Sequence, residues 1–219
     1  MAKYVLIGGG EIGRGNTPYE TKEIDEEIVK LTNKEKPIFL FIGLASSHSD
    51  SYYDQIKKIY KDLGCETVYL KKSNVINNPN IVENKINSAD IIYIGGGDTI
   101  KLLNYVKEYN IDKLLNKVKE KDIVIAGISA GAIILSKEGY SDSYILRGEK
   151  DKHEFIKGLN FIDIVISPHY DKESTKTKEL LKDIGNRKVY CISNGAALII
   201  KDNKIDIIKS KKDAIVKTY

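Results

Sequence analysis

The chain is predicted to be α/β, a mostly parallel sheet sandwiched between helices with a short antiparallel meander at its C-terminal end. Three observations carry that prediction. Short apolar runs rich in Ile, Val and Tyr recur along the chain, lysine-rich stretches of helical period separate them, and several of the runs end directly in glycine turns. Buried parallel strands read as continuous apolar runs because helices cover both of their faces.

Tyr4–Ile7 reads as the first strand, ending in glycines, and a helix follows over Glu20–Asn33. Pro37–Ile42 is the second strand, Asp50–Leu63 a helix closed by Gly64, and Thr67–Leu70 the third strand. After an Asn/Pro-rich loop at Asn77–Asn80 comes a fourth strand at Asp90–Ile94 and then one helix over Thr99–Val118. Asp122–Ala126 is a fifth strand running into Gly127, with a small-residue helix after Ser129. Phe161–Ser167, Lys172–Ile184 and Lys188–Ile192 read as strand, helix and strand. From Ala196 onward, runs broken at Asp202-Asn203 and at Lys211–Asp213 suggest the meander. No linker or internal repeat interrupts the chain, so residues 1–219 are expected to form a single domain.

Composition narrows the function. With 42% hydrophobic and 30% charged residues among 219, the chain can bury a sizeable core. Its 35 basic residues nearly balance 31 acidic ones, the signs alternate, and only Arg14, Arg147 and Arg187 are arginines. That pattern speaks against nucleic-acid binding, which recruits clustered Arg. No charged start with an apolar stretch marks a signal peptide and no apolar run approaches the roughly 18 residues of a membrane span, so a cytoplasmic protein off the membrane is expected. Cys65 and Cys191 lie far apart without CxxC spacing, and are expected to be buried thiols.

The chemistry concentrates in Gly127-Ile128-Ser129-Ala130-Gly131, a GxSxG pattern between a buried strand and a helix. A nucleophile at such a turn is strained and needs neighbours without bulk. The turn exposes its hydroxyl and aims the amide of Ala130 and the helix N-terminus at the site where an oxyanion would form. Gly95-Gly96-Gly97-Asp98-Thr99 follows another strand and opens another helix, so the amides of Gly96 and Gly97 are candidate second oxyanion donors, with Gly10, Asp98 and Thr99 candidates for binding substrate. The same run also reads as a phosphate loop, or as a tight turn with Asp98 as helix cap. Of the 3 histidines, His169 in Ser167-Pro168-His169-Tyr170 ends a strand and is the best-placed base, whereas His48 and His153 read as surface residues. For a triad acid Asp142 is favoured, with Glu138, Asp163 and Asp171 as alternatives. Gly8-Gly9-Gly10-Glu11-Ile12-Gly13 satisfies GxGxxG, but Pro18 interrupts the helix a dinucleotide site needs and no acidic residue ends the second strand. A glycine turn lining the crevice is the better reading, with Glu11 or Arg14 touching substrate.

The three motifs Gly95–Thr99, Gly127–Gly131 and Ser167–His169, in this order and spacing, resemble those of the peptidase E family, the S51 serine peptidases, which also include the cyanophycinases. The similarity extends from the first glycine turn to Ser193-Asn194-Gly195-Ala196-Ala197. It implies a class I glutamine-amidotransferase-like fold, Ser129 as nucleophile, His169 as general base and oxyanion donors from Ala130 and the Gly95–Gly97 run. It further implies a dipeptidase that favours an N-terminal aspartate. Two departures stand out. The family's acid falls near Tyr144, leaving Asp142 displaced. Where aspartyl-specific members carry an arginine, Asp171–Lys178 offers Lys172, Lys176 and Lys178. The expected protein is therefore a serine peptidase of short peptides, a monomer or homodimer, needing no metal or organic cofactor. The rival is a non-catalytic or sensory domain holding a small anion or nucleotide at the glycine turns. A glutamine amidotransferase fits less well, since that chemistry places a cysteine where Ser129 stands.

Overall fold

A computed structural model describes residues 1–46 and 49–219. Five strands, β1 (Lys3–Ile7), β2 (Ile38–Ile42), β3 (Glu66–Leu70), β4 (Ile91–Ile94) and β5 (Val124–Ile128), run parallel in the spatial order β1-β5-β4-β2-β3. Their residues alternate between two cores. Leu6, Leu40, Ile92 and Ile125 face one side, and Val5, Phe39, Ile91 and Val124 the other. The second side is closed by α1 (Lys22–Lys30) through Ile24 and Ile28 and by α2 (Ser49–Asp62) through Ile56 and Tyr60. The first is closed by α3 (Lys72–Asn77), α4 (Pro79–Ser88), α5 (Thr99–Glu108) and α6 (Ile111–Val118), which contribute Val75, Ile86, Leu102 and Leu115 among others.

After β5 the chain makes α7 (Ala130–Leu135), β6 (Ser136–Ser141), α8 (Ser143–Leu146), β7 (Glu154–Lys157), β8 (Ile162–Pro168), α9 (Thr175–Asp183) and β9 (Val189–Ile192). It ends in β10 (Ala196–Lys201), β11 (Lys204–Lys209) and β12 (Val216–Thr218). β10 pairs antiparallel with β1 and β11 with β10, extending the first sheet to seven strands. A second, five-stranded sheet has the order β12-β9-β8-β6-β7, with β6, β8 and β9 parallel. The fold class is the predicted α/β one, with a mostly parallel central sheet between helices.

Several elements differ from the sequence reading for local reasons. The helix expected over Thr99–Val118 is two, because Asn110 takes a left-handed φ of 55°. The loop at Asn77–Asn80 is a junction of two helices, in which the Asn78 side chain caps the Ile81 amide and Pro79 occupies the first turn. The meander is a β10–β11 hairpin turning at Asp202-Asn203, where both residues have positive φ, and β12 leaves it to pair with β9 in the second sheet. Cys65 and Cys191 are buried free thiols, raised by burial to about 12 and about 11 respectively. No helix among the described residues is long and apolar enough to cross a membrane.

One buried carboxylate makes stability depend on pH. Asp25 of α1 is fully buried and accepts hydrogen bonds from Thr21 (2.8 Å), Tyr19 (2.9 Å) and Tyr60 (2.8 Å). Burial raises its pKa to about 6, with the hydroxyl donors acting the other way. In an unfolded chain an aspartate titrates at about 3.9. Between about pH 4 and pH 6 the folded protein therefore holds a proton that the unfolded chain has lost, so this contribution declines as pH rises through the window and is constant above it. Asp25→Asn is expected to remove that slope. Between pH 4 and 7 the unfolding free energy of the variant should gain about 2 kcal/mol on the parent, read from urea melts at the two pH values.

Candidate active site

The loops at the carboxyl ends of β1, β4, β5, β8 and β9 converge on a cleft of about 300 Å³ lined by Gly9, Gly10, Glu11, Arg14, Gly96, Gly97, Ser129, His169 and Asn194, together with Ser46, Tyr52 and Ile128. Ser129 sits between β5 and α7 with φ 53° and ψ −111°, a conformation non-glycine residues avoid. Its glycine neighbours make the turn possible. A Cβ on Gly131 would strike the carbonyl of Ile94, and one on Gly127 would strike the backbone of Gly131. Strand, turn and helix therefore pack with backbone directly on backbone, and the half-buried hydroxyl is left facing the cleft.

His169 ends β8, likewise with positive φ (53°). Its Nε2 lies 2.9 Å from Ser129 Oγ, and its Nδ1 lies 2.8 Å from Asn194 Oδ1. An amide oxygen can only accept, so Nδ1 carries the proton and Nε2 presents a lone pair to the serine hydroxyl. The packing around the ring lowers the His169 pKa, Lys176's charge lowers it further, and the Asn194 hydrogen bond and Asp142's charge act in the opposite direction.

The first glycine run is the platform beneath these groups. The Ser129 amide donates to the Ile7 carbonyl (3.0 Å), that of His169 to Gly8 (2.9 Å) and that of Gly195 to Gly9 (2.9 Å). A Cβ on Gly9 would overlap both the imidazole and the Asn194 amide. Gly8–Gly10 thus serves close backbone approach, in keeping with the crevice-lining turn read from the sequence.

The third member departs from that reading. Asp142 forms no hydrogen bond with His169. It stands at the start of α8 and reaches the imidazole through its field alone. Glu138 pairs with Arg187 (2.7 Å), Asp163 with Lys137 (2.7 Å), and Asp171 accepts from the Glu173 amide (3.0 Å). The partner is Asn194, in the Ser193-Asn194-Gly195 turn after β9, a position sequence reasoning did not assign. Asp98 and Thr99 are also corrected. Asp98 caps α5 by accepting from the Ile100 and Lys101 amides, and Thr99 is buried, bonded to Ser141 and Ser143. Both are committed to the first turn of α5 and neither lines the cleft. Gly10, Gly96 and Gly97 do line it, and Ala130 is the first residue of α7 behind the serine. His153 is tied to Glu179 at 2.7 Å, and His48 lies outside the described residues.

Compared with known proteins, residues 4–208 match the model of peptidase family S51. The chain belongs to that family. Over 218 residues it is 29% identical to an uncharacterised peptidase, YgaJ, of Bacillus subtilis, covering 98% of this chain and 90% of the relative. It is 29% identical over 161 residues to a peptidase E of Shewanella denitrificans, covering 71% of this chain and 63% of that protein. The fold matches a crystal structure described as a candidate peptidase E protein from Listeria monocytogenes (TM-score 0.72, 22% identity, 95% of this chain and 98% of the other). It also matches a peptidase from an acI-B1 actinobacterium (TM-score 0.68, 23% identity, 100% of this chain and 96% of the other). As an S51 member the chain is a peptidase, a hydrolase on an amidotransferase-like fold. Within this S51 chain the glycine-rich turns, Ser129 and His169 all fall inside the matched span, and so does Asn194.

Proposed function

We propose that the protein is a serine peptidase of short peptides, with dipeptides, Asp-X included, as the first substrates to test. Ser129 Oγ attacks the scissile carbonyl while His169 Nε2 takes its proton, forming the C–O bond of a tetrahedral intermediate. His169 then passes that proton to the leaving nitrogen as the C–N bond breaks, and water hydrolyses the acyl-enzyme by the same relay. Asn194 holds the Nδ1–H and so keeps the tautomer the relay needs. The amides of Ala130, Gly96 and Gly97 are the proposed oxyanion donors, each worth about 3 kcal/mol in comparable sites.

The observation that carries this reading is the 2.9 Å approach of Ser129 Oγ to His169 Nε2 at the cleft wall, with the far side of the ring already held. On the acyl side, Arg14 and Glu11 lie 3.5 Å apart, with the guanidinium 5.4 Å from the centre of the Tyr52 ring. The pair offers a cation and an anion to a substrate that carries both charges. His169 and Asn194 also line a second depression of about 370 Å³ with Tyr170, Lys172, Ser193 and Lys211. The general acid faces the departing amine, so that depression is where the leaving residue is placed.

A fluorophosphonate probe tests the chemistry. Labelling mapped to Ser129, slowed about ten- to a hundredfold by Asn194→Ala through loss of the imidazole's hydrogen bond, supports the reading. Absence of labelling together with tight nucleotide binding at the glycine turns would replace it with a non-catalytic module.

A further inference from the structure

A cation that the proposed relay does not use stands against its base. Lys176, in the first turn of α9, reaches back to donate a hydrogen bond from Nζ to the carbonyl of Pro168 at 2.8 Å, the residue just before His169. The left-handed backbone at His169 is held on its other sides by the His169 amide on Gly8 (2.9 Å) and the Tyr170 amide on Ile192 (3.0 Å). The Pro168–His169 peptide is therefore held at both ends, its N–H by the Gly8 carbonyl and its C=O by the lysine.

We propose that Lys176 is a positioning residue for His169: its ammonium fixes the Pro168–His169 peptide and sets a positive charge near the imidazole, opposite in sign to the one a carboxylate triad supplies. The ring touches Ser129 from the turn after β5 and Asn194 from the turn after β9, while Lys176 of α9 and Asp142 at the start of α8 act on it through their charge; Glu11 and Arg14 line its cleft, and Asp171, Lys172, Lys211 and Asp213 the depression beside it. Lys176 is itself faced by Asp142 and by the Cys191 thiol of β9, and burial lowers its pKa to about 8, so it is charged throughout the range in which a histidine titrates. A cation beside the ring disfavours imidazolium and keeps the base neutral at lower pH. The Asn194 hydrogen bond and the Asp142 charge act the other way. The inference rests on His169 being the general base of the proposed relay.

The test separates charge from clamp. Lys176→Gln keeps a donor for Pro168 without charge, Lys176→Arg keeps both, and Lys176→Met removes both. Two readouts are taken, the acidic limb of kcat/KM against pH and the NMR titration of His169, which needs no turnover. The expected result is that the limb and the titration move up together by about half a pH unit or more in Lys176→Gln and Lys176→Met, while Lys176→Arg stays with the parent. An unchanged His169 titration in folded Lys176→Gln overturns the proposal. A shifted titration without any peptide turnover would uphold the coupling and count instead against the peptidase reading.

Discussion

Ser129→Ala is expected to lower kcat/KM on the best dipeptide by about 10⁴-fold or more, the scale at which loss of a nucleophile leaves only binding and oxyanion stabilisation. Stability should stay within about 1 kcal/mol of the parent, because the change removes one half-buried hydroxyl and leaves the backbone as it is. Steady-state kinetics beside a urea melt reads both quantities. Turnover equal to the parent in a folded variant would remove Ser129 from the mechanism.

Gly131→Ala is expected to act on stability with comparable force. Here the added methyl meets the main-chain carbonyl of Ile94, in the centre of the parallel sheet, and no flexible side chain is available to yield. Separating α7 from β4 would open a wholly buried contact, so a loss of about 4 kcal/mol is expected, at the upper end of overpacking effects. Gly15→Ala is the control. At φ 57° with nothing near its Cβ it carries backbone strain alone, and should cost about 1 kcal/mol. Equal unfolding midpoints for the two variants would show that α7 and β4 are not in close backbone contact.

The first half of the chain was legible because its strands are buried on both faces. Ile91-Ile92-Tyr93-Ile94 and Phe39-Leu40-Phe41 have no polar alternation to confuse them with surface structure. The second sheet was not, because β6 reads Ser-Lys-Glu-Gly-Tyr-Ser directly after a helix, with four of its six residues polar and a shifted register against β8. In the site, Ser129 and His169 stood out through strand-end motifs whose residue types have few other uses. The third member was not legible because a neutral amide carries none of the negative charge that marks a triad acid. Asn194 holds the ring as a neutral group, and its signals were a polar residue just past an apolar strand, much as with His169, and a place within the late segment that shares the family resemblance. Asp98 and Thr99 misled because a helix cap and a substrate ligand call for the same residue types.

The three tethers to Ile7, Gly8 and Gly9 also have a consequence for biosynthesis. Asn194 and the β10 strand that zips onto β1 follow the platform by 185 or more residues of chain. Translation delivers the serine well before the imidazole's hydrogen-bond partner, so the site proposed above is complete only once β10 has closed onto β1.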